Sequence, residues 1–200
     1  MSKMSKKLIS AVCILSLISF VIIGYCITNI DSKEILQLLF WVFLGSIFES
    51  LPIYYTKDRS VSVTFAIFTA SYLSHGTYFT TIVAAFSSIL VYIKNNNGTH
   101  NHLFNMPIQY SLINLSNYTI SMFLAGSVIQ NLESVWAPFF STSVMSSWLT
   151  IILFAIYILL VFFLNSTIMS FYASLMYNSP LIKTWLSSTI WALPNFIAIA

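Results

Sequence analysis

Charge is what this sequence lacks. Only 6% of its 200 residues are Asp, Glu, Lys or Arg, against about 25% in an ordinary soluble domain. Eight cations and five anions cannot surround a soluble core of this size with a polar shell. That excludes a water-soluble globular domain. With 58% hydrophobic residues and a mean hydropathy of +0.87, the composition is that of an integral membrane protein, whose first partner is the lipid bilayer. The net charge of +3 is scattered, so no nucleic-acid partner is expected. A catalytic domain of ordinary size, about 100 residues or more, has no room here.

Cysteine is scarce as well. The two present, Cys13 and Cys26, share the first apolar run. On a helix they stand about 20 Å apart, too far to pair with each other. Neither a redox compartment nor a metal site follows from them.

What the sequence has is long apolar runs. A crossing helix needs about 20 apolar residues. The predicted segments are 8–30, 35–55, 61–74, 77–94, 104–129, 146–176 and 184–200. The fold class is therefore all-α, a polytopic transmembrane bundle of six to seven segments in a single membrane domain. The opening MSKMSKKLIS resembles a signal-peptide start. The apolar run after it is too long for an h-region and no A-x-A-like site follows, so it reads as an uncleaved first span.

The stretch Val61–Asn95 is too long for one crossing, and His75–Gly76 is the predicted turn within it. Its short first arm is expected to be tilted or re-entrant. Residues Asn95–His102 and Gln130–Ser143 are expected loops, and Ser179–Pro180 breaks the longest run. The last segment contains Pro194 and reaches Ala200 in the middle of apolar sequence. The chain thus reads as the front part of something longer.

The positive-inside rule orients the chain. With the N-terminus in the cytoplasm and every segment crossing, Lys3, Lys6, Lys7, Lys57, Arg59, Lys94 and Lys183 fall inside. Lys33 falls outside with Asp31, Glu34 and Glu133. The expected location is a cell membrane.

Every charge marks a segment end except Glu49, which lies within FLGSIFESLP. A carboxylate at membrane depth costs several kcal/mol unless paired, protonated or wet. Two readings stand: a ligand- or proton-binding group, or a structural hydrogen bond near the cytoplasmic interface. The fifth segment, FNMPIQYSLINLSNYTISMF, carries two polar stripes at helical spacing. Asn105, Gln109 and Ser116 form one; Tyr110, Asn114, Asn117 and Ser121 form the other. Such stripes face protein or a wet cavity, and interhelical hydrogen bonding is the plainer use.

Small residues recur at Ala84 and Ser88, and at Ser166, Ser170 and Ser174. They predict close helix packing, within the bundle or in a homodimer. His100 and His102 alternate in a loop with no cysteine or Asp nearby, a weak metal signal, and His75 reads as a turn residue or interface hydrogen bonder. Four N-x-[ST] triplets read as chance matches. No nucleophile–base pair, phosphate loop, zinc spacing or acidic dyad is visible. No enzymatic activity and no cofactor or metal are expected of this chain.

Several local patterns agree in order: ESLP at 49–52, VSVTFAIFTASYLSHG at 61–76, FNMPIQYSLINLSNYTISMFLAGSVIQNL at 104–132, and WALPNFIAIA at 191–200. Together they resemble the N-terminal multi-span membrane region of signalling proteins from low-GC Firmicutes. In that family the region precedes a cytoplasmic HD-GYP phosphodiesterase or GGDEF diguanylate cyclase domain. The resemblance implies a sensory-input or anchoring module for cyclic-di-GMP signalling, responding to a small molecule or a membrane change. The signature motifs of both catalytic domains are absent here. Glu49, Asn105, Gln109 and Asn195 carry over as polar positions of the pattern and are the candidate ligand-binding residues. Two rival expectations are a small-solute-binding or transport protein, and a structural scaffold.

Overall fold

The computed structural model describes residues 5–51, 53–56, 59–61, 63–94, 100–136 and 143–199. Six helices and two short hairpins follow one another along the chain. Helix α1 spans Lys6–Thr28, and the Ser5 hydroxyl caps it by accepting the Leu8 N–H at 3.2 Å. Thr28 and Asn29 close its far end by donating to the Tyr25 carbonyl. A 3-10 turn, Ser32–Glu34, is capped by Asp31, whose carboxylate accepts the Lys33 N–H. It leads into α2, Ile35–Glu49.

Helix α2 stops short of the expected Tyr55. Proline at 52 disfavours helical geometry in the residue before it. The next residues, IYYT, suit a pleated strand. Strand β1, Ile53–Thr56, pairs antiparallel with β2, Arg59–Val61.

Helix α3 covers Thr64–Ile89 and bends back on itself at Gly76, where φ is 78° and ψ is −168°. That conformation belongs to glycine. A hydroxyl contact proves the reversal: Ser71 and Thr80 meet at 2.8 Å, although nine residues of straight helix would hold them about 14 Å apart. The turn predicted at His75–Gly76 is thus present, between arms at 64–75 and 77–89.

The predicted loop at 95–102 is partly strand. Strand β3, Tyr92–Lys94, pairs with β4, His100–His102. Helix α4 then runs Ile108–Trp136, α5 Ser143–Tyr177 and α6 Leu181–Ile199. The extra turns of α4 absorb the start of the expected 130–143 loop. The sequence QNLESVW propagates helix readily, and the Asn131 side chain bonds the Ser127 carbonyl one turn back. Between α5 and α6, Asn178 takes a positive φ of 50° and the Ser179 N–H reaches back to the Ser174 carbonyl. This is a Schellman-type stop.

Contacts fix the direction of each element. Leu8 and Val12 of α1 cluster with Ile113 of α4 and Tyr172 of α5 at one end. The Tyr92 N–H bonds the Ser50 hydroxyl at that same end. At the other end, Tyr25 packs edge-on against Tyr78 and Phe123, and His75 lies 3.6 Å from Glu34. The chain therefore alternates direction through seven segments, counting the arms of α3 separately.

Alternation is not the same as seven full crossings. Among the described residues, three helices are long and apolar enough to span a membrane: α1, α4 and the 147–177 part of α5. The expectation of six to seven full spans is therefore not supported. The 15 residues of α2 rise only about 22 Å, and each arm of α3 rises under about 20 Å. A bilayer core measures about 30 Å.

The core lies where α3, α4 and α5 meet, around Phe68, Phe79, Val83, Met122, Tyr157 and Val161. Among lipids, apolar burial gives helices little reason to associate, so close packing and hydrogen bonds must do it. Gly45 supplies the closest approach of α2: a side chain there would strike Ser87 and Phe68. Ser46 and Ser87 both donate to the Val42 carbonyl, at 2.7 and 3.1 Å. The outer faces are apolar. Val21 is 68% exposed, Leu36 80% and Phe43 65%, which suits lipid and not water.

Candidate functional site

Glu49 closes the last turn of α2, half-buried, at the end of the bundle that carries the two hairpins. Across from it stands Tyr118 on α4, whose hydroxyl donates to Oε1 of Glu49 at 3.0 Å. Phe68, on the first arm of α3, packs edge-on against the Tyr118 ring at 5.4 Å. Three elements therefore meet at one carboxylate. The hydroxyls of Ser46 and Ser50 flank it one turn back and one residue on, and both bond backbone carbonyls of α2. The Ser50 hydroxyl also accepts from Tyr92, which holds β3 under the site.

The other candidates fall elsewhere. Asn105 was expected on the same helical stripe as Gln109 and Ser116, yet α4 begins only at Ile108. Asn105 sits in the preceding turn, exposed, and its Oδ1 accepts the His102 N–H at 2.8 Å. Pro107, with no N–H to donate, makes the helix start after it. Gln109 is half-buried in the first turn of α4. It lies nine residues, or about 14 Å of rise, below Tyr118. Asn195 is on α6, and its side chain lies outside the described residues.

Both stripes of α4 do turn inward in part. Ser116 is buried and its hydroxyl meets the Tyr172 hydroxyl of α5 at 2.8 Å, an interhelical bond of the expected kind. Asn117 and Ser121 are buried one turn apart, whereas Tyr110, at the base of that stripe, is 46% exposed. Among the described residues, Asn117 Oδ1, Thr119 Oγ1 and Ser121 Oγ have no hydrogen-bond partner. The Thr69 and Thr77 hydroxyls of α3 are in the same position. A buried polar oxygen without a partner costs about 1–3 kcal/mol, so this run is costly for packing alone.

The small-residue runs serve packing inside the bundle. Ala84 and Ser88 are buried within α3. The Ser170 hydroxyl meets Ser188 of α6 at 3.0 Å, and Ser174 donates to the Ser179 carbonyl. His75 is a turn residue, stacked on Phe79 at 4.1 Å and edge-on to Trp41. His102 Nδ1 accepts the Phe104 N–H, which occupies one of its two ring nitrogens.

Tyr118 is the residue that sequence spacing does not reveal. It lies between the two polar stripes, and its partner is 69 residues away. Only the fold brings them together.

No family model, curated protein or solved structure matches the chain.

Proposed function

We propose that this chain is the membrane-embedded sensory-input or anchoring module of a bacterial cyclic-di-GMP signalling protein. The resemblance of residues 49–52, 61–76, 104–132 and 191–200 supports the signalling role, and the Glu49–Tyr118 bond supports Glu49 as its responsive group. It sets a half-buried carboxylate of α2 against α4, beside the folded hairpin of α3. A ligand or membrane change that binds one arrangement of α2 and α4 better than another shifts the packing between them. The shift then passes through α5, which packs on α4, to α6. In this reading Glu49 is the responsive group, and the short segments cross or re-enter the bilayer alongside α1, α4 and α5.

Charge supports the orientation. Among the described residues, Lys6, Lys7, Arg59, Lys94 and Lys183 belong to one end of the bundle with Glu49, and Asp31, Glu34 and Glu133 to the other with the single cation Lys33. The cationic end is assigned to the cytoplasm.

The test is Glu49→Gln in the cell of origin, at the native locus, with intracellular cyclic-di-GMP as the readout. An altered level with normal membrane insertion is the expected result. An unaltered level, both in this variant and on deletion of the gene, would remove the signalling role.

A second reading has its own observation. The unpartnered oxygens of Asn117, Thr119 and Ser121 beside a helix broken at Gly76 are also what a solute-binding or transport protein displays. Solute uptake by proteoliposomes of the purified chain would favour it.

A further inference from the structure

The first turn of α1 concentrates positive charge. A helix N-terminus is the positive end of its dipole and favours acids, yet α1 has no acid there and places Lys6 and Lys7 in that turn. Among the described residues neither lysine forms an ion pair. Asp31 and Glu34 lie beyond the opposite end of α1.

Directly beside these lysines a groove opens between α1 and α5. It has a volume of about 620 Å³, and Lys6, Lys7, Ala11, Ile14, Phe171 and Leu175 are among its lining residues. Three of the residues lining it, Ala11, Leu15 and Leu175, pack on the buried cluster of Leu8, Val12 and Tyr172. Its walls stay open, Ile14 being 56% exposed and Phe171 36%. The groove is thus cationic at its mouth and apolar along the next turns of α1, over about 12 Å from Lys7 to Leu15.

We propose that this groove binds an anionic phospholipid. The headgroup phosphate sits between Lys6 and Lys7 and one acyl chain lies along Ile14, Leu15, Phe171 and Leu175. Charge complementarity selects this occupant. A ligand here must join a negative head to an apolar tail at the depth where a helix enters the bilayer. A zwitterionic lipid brings its own ammonium, which offsets the attraction to two lysines. Bound there, the lipid spans α1 and the end of α5 that leads into α6. The proposal rests on the membrane placement of the chain and is independent of any signalling role.

Native mass spectrometry of the whole chain in detergent tests it, with phosphatidylglycerol and phosphatidylcholine of identical acyl chains as probes. The unsubstituted chain is expected to retain phosphatidylglycerol roughly thirtyfold more tightly, since both lysines are attracted to an anionic headgroup. Lys6→Gln combined with Lys7→Gln is expected to bring the two lipids within about twofold of each other. Both lysines are exposed, so the doubly substituted chain keeps its fold, checked by an unchanged melting temperature. Lys33→Gln, at the opposite end, leaves the preference in place. Equal retention of both lipids by the unsubstituted chain would overturn the proposal, as would a preference that survives the double substitution.

Discussion

The Tyr118 hydroxyl donates to Oε1 of Glu49 at 3.0 Å and so ties α4 to the end of α2. A hydrogen bond to a charged partner contributes about 1.5–3 kcal/mol when it is shielded from water. Here both partners are only half-buried, so the lower part of that range applies. Tyr118→Phe is expected to lower the melting temperature in detergent by a few degrees. Glu49→Gln keeps an acceptor oxygen and should cost less. If Glu49 is the responsive group, Glu49→Gln abolishes the cyclic-di-GMP response while the melting point scarcely moves. A loss of response that merely tracks melting temperature across both variants would make the bond structural.

Gly126 and Thr77 set a second close approach, between α4 and the second arm of α3. A Cβ on Gly126 would stand 2.5 Å from Thr77 Oγ1 and 2.6 Å from its Cγ2. Overpacking of this kind costs typically 1–3 kcal/mol. Gly126→Ala should therefore destabilise the chain. Thr77→Ala should recover part of the loss, because it removes both of those atoms, one of which is an oxygen with no partner among the described residues. A double-mutant cycle on melting temperatures measures the coupling. Additive effects would mean the two helices are not in contact there.

How much of this was legible beforehand depends on the range of the interaction. Apolar run lengths located every helix to within several residues, because a helix among lipids is apolar along its length. The glycine turn at 76 was legible because His75–Gly76 interrupts a run too long to cross once. Sequence alone carries α2 on to Tyr55 because Leu51–Tyr55 is uncharged, and an uncharged run does not separate a strand from a helix. Asn105 was misplaced because helical spacing was carried past Pro107. Glu49 stood out as the one charge set within a segment. Its partner Tyr118 was invisible, since nothing local connects residues 69 positions apart.

Gly76 and Gly24 give opposite expectations for the same substitution. Neither has an atom within 4 Å of where a Cβ would sit, but only Gly76 has a positive φ, of 78°. Gly76→Ala forces an L residue into a region essentially reserved for glycine, at a cost of about 1–3 kcal/mol. Gly24 lies on an exposed face inside α1, and Gly24→Ala should stabilise by about 0.5–1 kcal/mol. Melting temperatures moving in opposite directions check both. A neutral Gly76→Ala would argue that the hairpin turn is not formed as described.

The two ends of the bundle differ in which compartment they reach, and this can be read with cysteine labelling. Cys13 is exposed on α1 and Cys26 is buried, so both are first replaced by serine. Ser32 lies in the exposed 3-10 turn before α2. Tyr177, 74% exposed, ends α5 at the cationic end. With that end in the cytoplasm, Ser32→Cys reacts with a membrane-impermeant maleimide on intact cells. Tyr177→Cys reacts only after the cells are opened. The reverse pattern would invert the chain and place Glu49, with its hairpins, toward the outside. Labelling of both sites from outside would show that an odd number of the segments between α2 and α5 fail to cross. That outcome bears most on the two arms of α3, each shorter than a bilayer is thick. If the hairpin dips in and returns without crossing, two crossings are lost together and the pattern at Ser32 and Tyr177 is unchanged. Its turn must then be probed directly. Ser74, exposed just before Gly76, reacts from outside as Ser74→Cys if the first arm crosses fully, and stays unreactive if it is re-entrant.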